Sequence, residues 1–191
     1  MSNNKSNPVM SVRLASELDH AFERNGYSAE LVKKLSTGDI LSKLLPVIQG
    51  HADVIMKKHI TNCDADPFVP DDWKVEEHTK GGQFEWNTDK VELYRSDEQK
   101  KGPIKGNELR KLLKDKPVLN ANILDYLLAH SELIPEEWKG KAIFFWGTIY
   151  RDSDGALCVR FLYWGDRGWG WDDDWLDDNF SGSDPAVLSR K

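Results

Sequence analysis

The chain has 191 residues, 39% hydrophobic and 30% charged, which is enough for about one domain with its own core and too apolar for general disorder. Its 26 basic and 32 acidic side chains give a net charge of −6, which argues against a protein that binds nucleic acid mainly through phosphate contacts. The sequence has only two cysteines, a polar start and no apolar run of about 20 residues, and therefore predicts a cytoplasmic protein without disulfides or membrane spans.

Helical patterns occupy the first third of the chain. Residues 1–10 are polar and are expected to form a flexible tail. Ser11 and Ser28 each precede apolar residues at helical spacing, so both are predicted N-caps. We predict a helical unit over residues 11–60.

The third helix of this unit is predicted to begin after Asp39 and to meet a proline. Pro46 cannot donate a backbone hydrogen bond and crowds the preceding turn, so it should kink or restart the helix. A further helix is then predicted from Val47 to about Ile60.

A change of composition marks the predicted domain boundary. Residues 61–72 contain two prolines and four aspartates, which is typical of a linker. The rest, residues 73–191, is predicted to be an α+β domain. It opens with short strand candidates at 73–77 and 83–86, while 91–94 fits either strand or helix.

Two helices and then two strands follow in the predicted domain. Asn107 and Asn120 are predicted N-caps of helices with apolar faces. Residues 143–150 and 157–164 are rich in aromatic and β-branched side chains and are predicted strands. The Asp-Ser-Asp-Gly sequence at 152–155 predicts a hairpin turn between them.

A second turn and a third strand complete the pattern. Residues 165–168 predict the turn, and a short strand is expected at 169–171. The predicted fold is therefore α+β, with an N-terminal helical unit, a mixed segment and a C-terminal antiparallel β-meander. Alternation along the first strand predicts that both of its faces are apolar, with Phe144, Trp146 and Tyr150 on one face and Phe145 and Ile149 on the other.

Several segments of the predicted domain have specific sequences, and these are residues 133–141 (LIPEEWKGK), 144–155 (FFWGTIYRDSDG) and 158–160 (CVR), with 81–86, 118–128, 169–171 and 175–177. They resemble a family of uncharacterised bacterial proteins. The resemblance extends over more than half of the chain. The resemblance implies a bacterial or phage-related cytoplasmic origin, and it implies no activity, cofactor or site residue.

Tryptophan and aspartate are concentrated near the C-terminus. Five of the eight tryptophans lie between residues 146 and 175, interleaved with aspartates. Aromatic rings provide contact area at protein interfaces, and carboxylates attract basic partners. The predicted contact residues are Trp164, Trp169, Trp171, Trp175, Asp172, Asp173 and Asp174. We expect a protein-binding module whose partner is another protein with a basic surface.

Other readings of the same residues stay open. The tryptophans could be core residues, and the aspartates could be a solvated segment that protects a sheet edge from aggregation. The exposed rings could also bind a carbohydrate or another flat small ligand.

Catalytic and metal-binding motifs are weak. His59 and Cys63 have the spacing of two ligands on one helix, but two more ligands would be needed. A dyad of Cys158 with His78 or His130 is conceivable. No Walker loop, dinucleotide fingerprint or His-Glu-x-x-His sequence occurs, so we expect no cofactor and no metal. The protein could be an enzyme only if its active site has no recognisable sequence motif.

Basic residues are concentrated in one stretch, at Lys100, Lys101, Lys105, Arg110, Lys111, Lys114 and Lys116. They could form a solvated helix face or an anion-binding one. They could also meet the acidic C-terminal segment of a second copy in a homodimer.

Overall fold

A computed structural model of the protein describes residues 10–55 and 57–190. The chain forms two compact units, one up to Met56 and one from Lys57 onwards. The predicted tail, residues 1–10, lies outside the described residues except for Met10. No helix in the described part of the chain is both long and apolar enough to cross a bilayer.

The first unit contains three helices, α1 (Val12–Arg24), α2 (Ala29–Leu35) and α3 (Ile40–Ile48). The two predicted serine caps are confirmed. The Leu14 N–H donates to Ser11 Oγ at 3.2 Å, and the Leu31 N–H donates to Ser28 Oγ at 3.3 Å. Each bond satisfies a backbone donor that the first helical turn leaves free.

The predicted fourth helix is wrong. Helix α3 contains Pro46 and ends two residues later, and residues 49–55 contain no helix. Gly50 has a φ of +72°, the left-handed conformation that commonly follows a helix C-terminus. The apolar residues Val54 and Ile55 lie exposed in the segment that follows.

The second unit is α+β, as predicted, with helices and strands mixed along the chain. Its helices are α4 (Asp97–Lys101), α5 (Gly106–Leu113) and α6 (Ala121–Ala129), and three short 3-10 turns lie at Thr88–Lys90, Ser131–Leu133 and Glu136–Trp138. Its strands are β1 (Ile60–Asn62), β2 (Lys74–His78), β3 (Gln83–Glu85), β4 (Val91–Tyr94), β5 (Ile104–Lys105), β6 (Ile143–Phe144), β7 (Thr148–Arg151), β8 (Leu157–Gly165), β9 (Gly168–Trp175), β10 (Asn179–Phe180) and β11 (Ala186–Ser189).

Strand β8 organises the main sheet, which has seven strands. Strand β9 pairs along one edge of β8, and β6 and β7 pair in succession along the other. From β7 the sheet continues to β2, and from β6 it continues through the parallel strand β11 to β4. The antiparallel order β7, β8, β9 is the predicted C-terminal meander.

The single strand predicted over 143–150 is two strands, β6 and β7. Gly147 lies in the break between them, packed so closely that a Cβ atom there would be 2.9 Å from the backbone of Asn120. Because of the break, β6 pairs with β8 and β11, whereas β7 pairs with β8 and β2.

The break also changes which face each side chain occupies. Phe144 and Trp146 share a core cluster with Ile149, whereas Phe145 and Tyr150 pack elsewhere. The predicted grouping of Tyr150 with Phe144, and of Ile149 with Phe145, is therefore wrong, because strict alternation does not continue through a break.

Helices cover both faces of this sheet. On the face we call the α6 face, Ile123 and Leu127 of α6 share a core with Leu162 of β8. On the opposite face, the α5 face, Leu109 of α5 shares a core with Val159 of β8. The central strands are thus buried on both sides.

The predicted linker, residues 61–72, belongs to the second unit, so the boundary lies before it. Strand β1 pairs with β3, and the Asn122 side-chain amide donates to Asn62 O at 3.0 Å. The Tyr150 hydroxyl donates to Phe68 O at 3.0 Å. These hydrogen bonds fix a segment whose composition is typical of loops.

Of the two predicted asparagine caps, Asn120 occupies the N-cap position of α6 without a side-chain cap bond, and Asn107 is not an N-cap. Asn107 lies inside α5, and its side-chain amide donates to Asp177 Oδ1 at 2.7 Å. Asn120 does precede α6, but its side-chain amide donates to the carbonyls of Cys63 and Thr79, at 2.8 and 2.9 Å. Both amides therefore join segments that are distant in sequence.

Candidate functional site

The hairpin of β8 and β9 carries all seven predicted contact residues. On the α6 face, the register places Trp164 opposite Trp169, Leu162 opposite Trp171, Arg160 opposite Asp173 and Cys158 opposite Trp175. On the α5 face it places Val159 opposite Asp174, Phe161 opposite Asp172 and Tyr163 opposite Gly170. Strand β9 extends four residues beyond the predicted strand 169–171, because the aspartates pair with β8.

Two of the tryptophans lie at the turn end of the hairpin. The rings of Trp164 and Trp169 contact edge to face, with centroids 5.3 Å apart. Trp164 is 44% exposed, and the Lys139 ammonium lies 3.9 Å from its ring centroid. Trp169 is partly buried against the core of the α6 face.

Trp175 lies at the other end of β9. It is 51% exposed, and its indole N–H donates to Asp152 Oδ2 at 2.8 Å. Trp175 is six positions after Trp169, a distance of about 20 Å at the rise of an extended strand. The exposed rings of Trp164 and Trp175 are therefore too far apart to hold one small ligand between them.

Trp171 is partly buried. Its ring lies 4.1 Å from the Arg160 guanidinium carbon, and the Phe68 ring lies 5.2 Å from the same carbon. Arg160 is 1% exposed and donates to both oxygens of the partly exposed Asp125 carboxylate, at 2.7 and 3.3 Å. Trp171 therefore covers a buried guanidinium, and its ring is a structural element of the site.

The three predicted aspartates lie on both sides of the sheet. Asp173 is on the α6 face opposite Arg160, whereas Asp172 and Asp174 are on the α5 face. The expectation of one surface that combines rings and carboxylates is therefore corrected, since neighbouring residues of a strand point to opposite faces. Only the edge of β9 brings both groups together.

Carboxylates crowd this edge. Burial and, to a smaller extent, the charges of Asp178, Asp184, Asp173 and Asp172 together raise the pKa of Asp174 to about 6. Burial also raises the pKa of Asp173, and the carboxylates of Asp172 and Asp152 add to this effect. The negative charges repel one another, and a cation at this edge would relieve the repulsion.

The outer edge of β9 pairs with no other strand in the described part of the chain. The Leu176 N–H donates to Leu157 O at 2.8 Å, so alternation turns the backbone groups of Trp169, Trp171 and Asp173 away from β8. The Asp173 N–H donates to the Asp172 carboxylate at 2.9 Å. The backbone groups of Trp169 and Trp171 remain available for a further strand.

A partly buried polar cluster, of which the sequence gives no sign, surrounds His78. Its Nε2 lies 3.1 Å from Cys63 O, and its Nδ1 lies 2.9 Å from Thr148 Oγ1, which accepts from the Ala121 N–H. A carbonyl can only accept, so this network assigns the proton to Nε2 and leaves the Thr148 hydroxyl to donate to Nδ1. Both ring nitrogens are engaged, which leaves neither free for proton transfer.

The conceivable cysteine dyads are not assembled. In the described residues, neither His78 nor His130 hydrogen-bonds to a thiol. Burial raises the pKa of Cys63 to about 11 and that of Cys158 to about 12. Thiols with such pKa values are poor nucleophiles at neutral pH.

The weak metal-binding pattern of His59 and Cys63 has a structural explanation. His59 Nδ1 lies 3.0 Å from the Tyr126 hydroxyl, and Cys63 follows a strand, so the two residues do not share a helix face. The Asp152 carboxylate accepts from the backbone N–H groups of Asp154 and Ala156, at 3.0 and 2.9 Å, which confirms the predicted hairpin turn. Within the described ranges, no group of three or more histidine, cysteine or acidic side chains has a metal-binding arrangement.

The predicted basic stretch forms α4, β5, α5 and the loop that follows. Several of its cations have nearby acidic partners, such as Lys100 with Asp97 at 2.8 Å and Lys111 with Glu108 at 2.8 Å. These exposed pairs belong to a solvated surface and contribute little to stability.

Comparison of the chain with protein-family models, curated proteins and solved structures gave no match.

Proposed function

We propose that the protein binds an extended, basic segment of another protein, which adds as a strand to the free edge of β9. The observation that carries the proposal is this edge itself, with outward backbone groups at Trp169 and Trp171 and with two of its three carboxylates, Asp172 and Asp174, on the α5 face. Strand addition derives affinity from backbone hydrogen bonds and specificity from alternate side chains.

The side chains on the two faces of β9 indicate which partner sequence would fit. An added strand would place every second side chain beside Trp169 and Trp175 on the α6 face. The intervening side chains would lie beside Asp172 and Asp174 on the α5 face. An alternation of apolar and cationic residues satisfies both environments.

Charge gives the edge its selectivity. Acidic residues on an edge strand disfavour pairing with neutral or acidic strands, including a second copy of the same edge. A basic strand instead relieves the repulsion among these carboxylates, which adds to burial in raising the pKa of Asp174. The same carboxylates therefore protect against aggregation and admit a basic partner.

A charge exchange tests the proposal. Fluorescence anisotropy would measure binding of a labelled peptide of alternating lysine and valine to the full chain at low salt. Asp172→Lys should weaken binding about tenfold, or about 1.4 kcal/mol, and should bind a glutamate–valine peptide better than the native chain does. Asp172 is exposed, so the fold should tolerate the change.

The matched control is Asp166→Lys. Asp166 is exposed in the hairpin turn, so this variant makes the same change in net charge away from the edge of β9. Equal loss of affinity in both variants would contradict a site at the edge, and so would native binding of the two peptides with equal affinity.

A further inference from the structure

A cleft with positive charge lies between α5 and the end of β2, on the side of the sheet that α5 covers. Its volume is about 470 Å³, within the range of small-molecule sites. It is lined by Glu77, Thr79, Asn107, Arg110, Lys111, Leu113, Lys114, Val118 and Trp146.

Cations outnumber carboxylates in this cleft. Glu77 holds Arg110 through two contacts, Oε1 to Nη2 at 2.6 Å and Oε2 to Nε at 3.3 Å. Lys111 pairs with Glu108. Lys114 has no acidic group within 4.0 Å in the described part of the chain, so its charge is free to meet an anion.

Trp146 lines the floor of the cleft and is 5% exposed. Its Nε1 has no hydrogen-bond acceptor in the described residues and almost no accessible surface. A ligand in the cleft would therefore contact the indole ring and not its N–H group.

The rest of the floor is apolar. Leu113 and Val118 line the cleft beside the Trp146 ring, and Trp146 itself packs on Phe144 and Phe180, with ring centroids 6.3 and 5.1 Å away. The ring is held rigidly by these contacts. A cationic rim over a rigid apolar floor suits a molecule with both an acidic group and an apolar body.

We infer that this cleft binds a small organic oxyanion, whose carboxylate or phosphate meets Lys114 and whose apolar body lies on Leu113, Val118 and Trp146. Arg110 stays paired with Glu77 and borders the site. The cleft is separate from the edge of β9, so this inference does not depend on the proposed function.

The Trp146 indole resonance provides a direct test. In the full ¹⁵N-labelled chain, Trp146→Phe identifies this resonance by its disappearance. Phenyl phosphate and benzoate, each at about 10 mM, should shift it because their aromatic rings lie against the indole, and this concentration exceeds a millimolar Kd about tenfold. Inorganic phosphate should bind more weakly, since it lacks the apolar body.

Two lysine variants separate the cleft from general surface charge. Lys114→Gln should weaken phenyl phosphate binding at least about fivefold, or about 1 kcal/mol. Lys101→Gln removes the same charge from an exposed residue of α4 outside the cleft and should leave the affinity unchanged. An unmoved Trp146 resonance with both probes would overturn the inference, and so would equal losses in the two lysine variants.

Discussion

Replacing Asp174 with asparagine should stabilise the protein, and the gain should depend on pH. Burial and neighbouring carboxylates raise the pKa of Asp174 in the folded chain from the ordinary value of 3.8 to about 6. A carboxyl group with a raised pKa favours folding when it is protonated. That contribution is complete below pH 3.8 and is lost as the pH rises through about 6.

The size of the effect follows from the same values. A rise in pKa from 3.8 to about 6 corresponds to roughly 3 kcal/mol at full strength. Solvent screens a carboxylate that is only partly buried, which reduces the expected gain to about 1 kcal/mol. Asparagine keeps the shape of the side chain and has no charge at any pH in this range.

Urea denaturation of the native chain and Asp174→Asn at intervals between pH 4 and pH 8 measures this gain. The two proteins should differ little at pH 4, and the variant should be more stable by about 1 kcal/mol at pH 7 and above. Asp166→Asn, which removes an exposed carboxylate from the turn, should show a smaller change. A gain that is the same at pH 4 and pH 8, or no gain at all, would refute the reasoning.

Two further substitutions test the packing around the sheet. Asp125→Asn removes the carboxylate that hydrogen-bonds to the buried Arg160 guanidinium and should lower the free energy of unfolding by about 2 kcal/mol in urea denaturation; a loss within the error of the native value would contradict a stabilising ion pair at Arg160. Gly106→Ala places a Cβ atom 2.5 Å from Phe180 Cε2 and should cost about 2 kcal/mol. Gly102→Ala, with no atom within 4 Å of the new Cβ, is its control in thermal melting, and equal melting temperatures would count against the packing described.

The sequence predicts those elements whose signals are local. Ser11 and Ser28 cap α1 and α2 because a hydroxyl two or three residues before a free N–H suffices. The turn at 152–155 forms because the Asp152 carboxylate reaches the backbone within its own segment. In each case the residue and its partner lie within a few positions of each other.

Features that depend on distant segments are missed. The break at Gly147 arises because Asn120 packs against it, and the length of β9 arises because Asp172 and Asp174 pair with β8, although aspartate is rare in strands. Arg160 is buried because Asp125, on another element, neutralises it. Periodicity within one segment contains no information about these partners.

The candidate site shows the same division. Composition identifies the hairpin, and Trp164 and Trp175 are exposed there. Composition alone does not separate them from Trp171, which packs on Arg160. It also gives no sign of the cluster around His78, whose partners Cys63 and Thr148 are far apart in sequence.

The central claim is that the edge of β9 accepts a basic strand, and NMR of the full ¹⁵N-labelled chain with the lysine–valine peptide tests it most directly. The backbone amides of Trp169 and Trp171 face outward, so their resonances should shift downfield and exchange more slowly with solvent. The amides of Gly170 and Asp174 face β8 and should change little. Shifts confined to the indole N–H groups of Trp164 and Trp175, with unchanged amides at Trp169 and Trp171, would contradict strand addition.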